Sequence, residues 1–371
     1  MCSMGRKRPN EDDGKRRATM TRVAEELGVS AMTVSNAYNR PERLSAALRE
    51  RIFETARRLE YPGPNPLGQS LRSGRVGALG VIYDNLLSYA FEDQAAVSFL
   101  RGVSAAAEAE GLGLTLVPGS PRGEREATAI GRTLVDGFVV YSVADGDPVL
   151  EAALERGLPA VTVDQPRVEG VSFVGIDDEA AARAAAEHLV ELGHRRYGVV
   201  SFGLSPDWRV GIADEERQRS ASYRVSRSRL EGFAAALAAG GVSWSEVPVY
   251  ECPSSSKALG RDAAEVVLSR VPRPTAMLAT SDELAQGVME AARERGLSVP
   301  NDLSVVGFDD VPEAAIATPP LTTVRQDHVE KGALAGRLLV ARLREKETED
   351  TYLLPTGLVV RGSTGPPPRT P

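Results

Sequence analysis

From Val76 onward the chain repeats one pattern: a short continuous run of apolar residues, then an Ala-rich segment with helical periodicity. "VGALGVIYD", "GLTLVPG", "DGFVVYS", "PAVTVDQ" and "VSFVGID" form one series, and "RYGVVSF", "EVPVYEC", "TAMLATS" and "LSVVGFDD" a second. Helical segments such as "DEAAARAAAEHLVELG" and "DELAQGVMEAARERG" lie between them. Strands without polar alternation are buried on both faces, as in parallel sheets covered by helices on each side. About ten such units exceed what one twisted sheet holds comfortably, so two α/β lobes are expected.

In open parallel sheets, ligands collect beyond the carboxyl ends of the strands. Here those ends are polar: Tyr83, Asp84 and Asn85 follow the first run, Asp164 and Gln165 follow "PAVTV", Ser281 and Asp282 follow "TAMLAT", and Asp309 and Asp310 follow "SVVGF". Arg229, early in the helical "RSRLEGF", can reach the same place. Such a ring suits a hydroxyl-rich ligand. An acid after a strand equally well caps the next helix, and that alternative stands for Asp282 and Asp310.

Other chemistries find little support. Cys2 and Cys252 are far apart and match no metal or redox spacing, and the three histidines form no H-x-x-x-H pair. "GLGLTL" lacks dinucleotide-fingerprint spacing, and "GFDD" brings carboxylates without a nucleophile. Neither catalysis, a metal nor a cofactor is expected. There is no run of eighteen apolar residues, and "MCSMGRKRPNEDDGKRR" lacks the apolar centre of a secretory signal, so the expectation is a cytoplasmic protein with no membrane contact.

Charge separates the two ends of the chain. Residues 1–75 hold 15 Lys+Arg against 9 Asp+Glu, a net +6, whereas the remainder carries −13. A basic module on an acidic body suits a protein that binds a phosphate backbone yet stays soluble. Beyond a basic tail at 1–18, "TMTRVAEELGVSAMTVSNAYNRPERLSAALRERIFETARRLEYPG" reads as three short helices over 19–61. Met20, Val23, Ala24 and Leu27 share one face; Gly28 ends that helix; Ser30 caps a second carrying Val34, Ala37 and Tyr38; and Ser45 caps a third. Two helices joined by so tight a turn form a helix-turn-helix, whose second helix offers its N-terminal residues to the major groove.

The run "VAEELGVSAMTVSNAYN", with "EYPGPNPLGQSL" behind it, resembles the headpiece and hinge of the LacI/GalR family of bacterial transcription regulators, and the similarity continues to "LVVRGST" near the C-terminus. It implies that Ala31, Met32 and Asn36 face base edges, that Ser30, Thr33 and Ser35 anchor phosphates, and that Leu71 wedges into the minor groove of a palindromic operator. Most members carry arginine where Asn36 stands and alanine where Gly68 stands. The marginal helix Asn65–Arg72 within a hinge at 62–75 is then expected to fold only on DNA.

For the body, the resemblance implies a periplasmic-binding-protein-like core with an N-terminal lobe (76–176 plus about 326–354) and a C-terminal lobe (177–325 plus about 355–364). Arg229, Asp309, Ser281 and Asp164 fall at effector-contacting positions, beside Tyr83 and Asp84. His328 stands where an aromatic often stacks on a sugar, and Ser255 where members frequently have Trp or Phe. Gly203–Ser228 replaces a short serine-rich loop and reads either as a lid or as a solvated insertion; 365–371 is too Pro-rich to fold. The expected function is a homodimeric transcriptional repressor whose operator affinity is set by a small polar effector, by default a sugar. A sugar-binding protein without a DNA role is the alternative.

Overall fold

The computed structural model describes residues 19–64, 74–83, 87–119, 124–346, 348 and 350–368, with the side chains of 124–127 excepted. The chain divides into two compact units, Met1–Val76 and Gly77–Pro371. The predicted hinge helix lies outside the described residues.

Among the described residues the first unit holds three α-helices, α1 (Met20–Leu27), α2 (Ala31–Asn39) and α3 (Ala46–Arg58), with a 3-10 turn at Pro41–Arg43. Each is started by a hydroxyl, from Thr19, Ser30 and Ser45 respectively, that accepts a backbone N–H of its first turn. Gly28, at φ +65°, ends α1 in the left-handed conformation that favours glycine and lets α2 begin three residues later. Val23, Ala24, Val34, Ala37, Ile52 and Ala56 form the core, and Tyr38 meets Phe53 edge-on with centroids 5.1 Å apart.

The second unit holds two sheets. All nine runs read as strands from the sequence are strands. In the first sheet β1 (Ala78–Tyr83), β2 (Gly113–Pro118), β3 (Gly137–Tyr141), β4 (Ala160–Val163) and β5 (Ser172–Gly175) are joined by a late strand, β12 (Thr351–Leu353), in the order β12-β5-β4-β3-β1-β2, every pair parallel. The second contains β6 (Tyr197–Ser201), β7 (Gly211–Ile212), β8 (Val249–Glu251), β9 (Ala276–Ala279), β10 (Ser304–Asp309), β11 (Thr322–Arg325) and β13 (Gly357–Val359), ordered β13-β11-β10-β9-β6-β8-β7. Its two edge strands, β7 and β13, run antiparallel to their neighbours.

The chain therefore crosses between the sheets three times: after β5, after β11 and between β12 and β13. The second crossing carries the helix His328–Leu343 back onto the first lobe, against Gln94–Glu108. Contact there is so close that a Cβ on Gly102 would lie 2.0 Å from the Val329 carbonyl oxygen, and one on Gly332 2.1 Å from that of Phe99. The strands of both sheets end toward one cleft.

Gly203–Ser228, left open as a lid or a solvated insertion, takes defined structure: it contributes β7 and the helix Glu215–Arg219. The C-terminal segment stays attached past Gly365, whose N–H donates to Ser304 Oγ and whose carbonyl accepts from that hydroxyl and lies 2.9 Å from His194 Nε2. Of that segment, the described residues 366–368 carry neither helix nor strand. Among the described residues no helix is long and apolar enough to cross a membrane.

Candidate functional site

Two surfaces break the usual sorting of side chains, in opposite directions. On α2, Ser30, Ala31 and Met32 are exposed, Met32 at 69%. Thr33, Ser35 and Asn36 are part-exposed beside them. The hydroxyls hold local partners: Ser30 Oγ lies 2.9 Å from Thr33 Oγ1, and Asn39 Nδ2 donates to Ser35 Oγ at 3.2 Å. The predicted base-reading and phosphate residues thus share one exposed end of one helix, positioned by the Ser30 cap. Leu71 lies outside the described residues.

Between the lobes is a cavity of about 150 Å³, lined from the first lobe by Tyr83, Tyr89, Asp93, Tyr141 and Asp164 and from the second by Phe202, Arg229, Ser255, Ser281 and Asp309, with Gln326 and His328 from a crossing segment. Six of the seven predicted effector residues meet there; the seventh, Asp84, lies outside the described residues. Ser142, Asp164 and Asp309, at strand ends, are non-glycine residues with positive φ of 58°, 62° and 115°. Such strain typically gathers where side chains are aimed at a ligand.

Arg229 is almost wholly buried. Its Nε donates to Asp178 Oδ1 at 2.8 Å and its Nη1 to the Thr280 carbonyl at 2.6 Å, and it lies 3.8 Å from Asp309. The guanidinium sits 3.6 Å from the centroid of the Phe308 ring, so an aromatic face supports it as well as carboxylates. Asp309 Oδ1 accepts from Gln326 Nε2 at 2.6 Å, and Lys331 Nζ, fully buried, donates to both Asp164 Oδ1 (2.6 Å) and Gln326 Oε1 (2.5 Å).

This chain of bonds holds Asp164 and Asp309 across the cleft floor. His328, 7% exposed, has no hydrogen-bond partner for either ring nitrogen among the described residues, although Nε2 is only 3.6 Å from Asp309 Oδ1. A buried imidazole in that condition is uncommon, since buried polar groups as a rule have a partner.

Asp93, absent from the sequence-based set, caps the helix Gln94–Glu108 by accepting from Ala95 and Ala96. Burial, then the Asp309 carboxylate, push it up to about 6. Opposite it, burial and Asp93 push Glu283 up to about 7. Tyr89 bridges the lobes: its hydroxyl donates to the Ser255 carbonyl at 2.6 Å and accepts the Ser255 N–H at 2.8 Å. Tyr83, Tyr141 and Phe99 form the wall behind, the last two stacked at 4.0 Å.

Two acids read as ambiguous belong to the framework. Asp282 is fully buried and accepts from Thr323 Oγ1 and the Val311 N–H. Asp310 pairs with Arg325 and Arg361. Neither lines the cavity.

Comparison with known proteins follows the same division. Residues 19–65 match the family model described as bacterial regulatory proteins, lacI family, and residues 186–364 that of a periplasmic binding protein-like domain. An HTH-type transcriptional regulator of Mycolicibacterium smegmatis is 43% identical over 97% of this chain and 100% of its own length; one of Mycobacterium tuberculosis is 45% identical over 95% and 98%. Among solved structures, the regulator CelR in complex with cellobiose superposes with TM-score 0.67 at 29% identity, covering 94% of this chain and 100% of that one. The lac repressor dimer bound to operator and an anti-inducer does so with TM-score 0.76 at 27%, again over 94% and 100%. With its helix-turn-helix unit and two-lobed α/β core, the chain belongs to the LacI family of bacterial regulatory proteins.

Proposed function

We propose that this regulator is a repressor that binds a palindromic operator as a homodimer and is controlled by a sugar or related polyol in the cleft. The observation that carries the effector class is the character of the buried lining: carboxylates of Asp93, Asp164 and Asp309 and the partnerless imidazole of His328 offer acceptors, which complement a ligand rich in hydroxyl donors. A small acceptor-rich cavity disfavours anions. At about 150 Å³ it is sized for one ring, since a cavity of about that volume takes benzene. The cellobiose complex of CelR supports a carbohydrate, while the cavity favours a smaller one.

On the DNA side, Ala31, Met32 and Asn36 read base edges, Ser30, Thr33 and Ser35 hold phosphates, and Leu71 is assigned the minor-groove wedge. One helix-turn-helix reads one half-site, which is the reason for a dimer; the lac repressor structure, a dimer on operator, agrees. Effector binding changes lobe closure and through it the operator affinity, by a coupling free energy of about 1–3 kcal/mol.

The test is a thermal-shift screen of neutral monosaccharides, cellobiose, nucleosides and sugar phosphates, followed by gel shifts on DNA upstream of the gene with each hit. A ligand at 100 times its Kd raises stability by about 2.7 kcal/mol. Stabilisation by sugar phosphates alone would overturn the effector class. Failure to retard any upstream DNA would leave a sugar-binding protein without a regulatory role.

A further inference from the structure

The cleft is bridged at two places, and the second is built by the segment Gly203–Ser228. At the first, Tyr89 meets Ser255. At the second, the Asp145 N–H of the first lobe donates to the Ser222 carbonyl at 3.2 Å, and the Val225 N–H donates to Gln165 Oε1, also of the first lobe, at 2.8 Å. Gly203, Tyr223 and Val225 line the cavity itself.

What places Ser222 and Val225 there is a charge cluster about Arg217, in which Glu251 is buried and Asp207 half-exposed. Its Nε and Nη2 donate to Glu251 Oε2 and Oε1 at 3.0 and 2.7 Å, and its Nη1 and Nη2 to Asp207 Oδ2 and Oδ1 at 2.8 and 2.6 Å. Glu251 ends β8, is 1% exposed, and also accepts the Leu204 N–H at 2.8 Å. One guanidinium therefore ties the segment's beginning, through Asp207 and the Glu251-bound Leu204, and its middle, through Arg217 itself, to a rigid strand. The loop then closes on itself: Tyr223 N–H to the Leu204 carbonyl, Ser226 Oγ to the Gly203 carbonyl, and Ser222 N–H to Ser205 Oγ. Two paired hydrogen bonds on each carboxylate fix orientation as well as distance, which lysine cannot reproduce.

We infer that Gly203–Ser228 is a clasp that holds the lobes closed over the cavity, and that Arg217, which touches neither lobe interface nor cavity, is its positioning residue. The clasp's bearing on effector release rests on the cleft being the effector site; its bearing on closure does not. Opening the lobes breaks both Asp145–Ser222 and Val225–Gln165, so the fork at Arg217 sets how readily the closed state persists.

The experiment is residue-resolved amide hydrogen exchange on the full chain without ligand, for wild type, Arg217→Lys and the charge-neutral pair Arg217→Met/Glu251→Gln, the last avoiding an unpaired buried carboxylate. In both variants the Asp145 and Val225 amides, and with them Ser255 at the other bridge, exchange at least about tenfold faster, while Val199 and Val306 in the sheet keep their rates. Unchanged Asp145 and Val225 rates overturn the clasp, as does acceleration matched by Val199 and Val306, which would make Arg217 merely stabilising. No effector is needed for this readout, so its failure sinks the clasp alone. A clasp that opens as expected in a chain that no sugar stabilises would sink the effector reading instead.

Discussion

Helix α2 and the interlobe cleft misplace their side chains in contrary ways. On α2 a thioether, Met32, is left in water, where it contributes nothing to the fold. In the cleft, Arg229 and Lys331 are taken out of water along with Asp178, Asp164 and Asp309. Single exposed apolar side chains are common and cheap; buried charges are neither. The difference teaches where a surface is held at low cost and where at high cost: the exposed face of a capped helix can be rewritten freely, whereas the pocket is held by an ionic lattice whose members support one another.

The sharpest way to break that contrast is Arg229→Met. It strands Asp178 and removes the cation nearest Asp309, and breaking a buried pair in this way costs about 3–5 kcal/mol. Urea denaturation should show that loss in the core, together with loss of ligand stabilisation. A loss below about 1 kcal/mol would mean that Asp178, which burial already pushes above the usual carboxylate range, simply takes a proton.

Next in size is a pH effect from Asp93. A carboxyl raised from 3.8 to about 6 binds a proton more tightly folded than unfolded, so its native setting costs nothing below about pH 4 and progressively more as pH rises through 6. Asparagine keeps the helix cap, because its side-chain oxygen still accepts from Ala95 and Ala96. Asp93→Asn should therefore match wild type near pH 3 and exceed it by about 3 kcal/mol at pH 8. Equal thermal transitions at pH 8 would show that solvent reaches the wild-type carboxylate.

How much of each region was legible follows from the same contrast. Nine strands could be read because each writes a continuous apolar run, eight of them from interior positions in their sheets and β2 from an edge. Four short strands could not: β7 and β13 are edges of two and three residues, β12 ends a charged stretch, and Thr322–Arg325 follows two prolines, so their pairing is decided by tertiary neighbours. Asp164, Ser281 and Asp309 were legible as polar strand ends. Asp93 and Tyr89 precede a helix rather than follow a strand, and Lys331 sits in an ordinary helical "HVEKGALAG". Only the crossing after β11, which no local pattern announces, brings Lys331 to Asp164 and leaves His328 beside Asp309.

On the headpiece the expected effects are smaller and take another form. Asn36→Ala should leave folding intact, since its side chain is part-exposed, and should relax preference at one operator position by about 1–2 kcal/mol. Binding measured across operators substituted at each position distinguishes this from a uniform loss, which would mark a phosphate contact.

The smallest effect on the fold completes the contrast. Met32→Ala removes a side chain 69% exposed, so unfolding free energy should stay within about 0.5 kcal/mol of wild type, and alanine is the better helix former. If α2 is the reading helix, the same substitution weakens operator binding and alters discrimination at the base facing residue 32, because the lost contact is apolar and local. A change in operator affinity without a change in stability is the signature of a surface built for a partner, the inverse of Arg229→Met, where stability and ligand response fall together. If Met32→Ala left operator binding and base preference untouched, the exposed thioether would be an incidental surface residue, and the reading would rest on Ala31 and Asn36 alone.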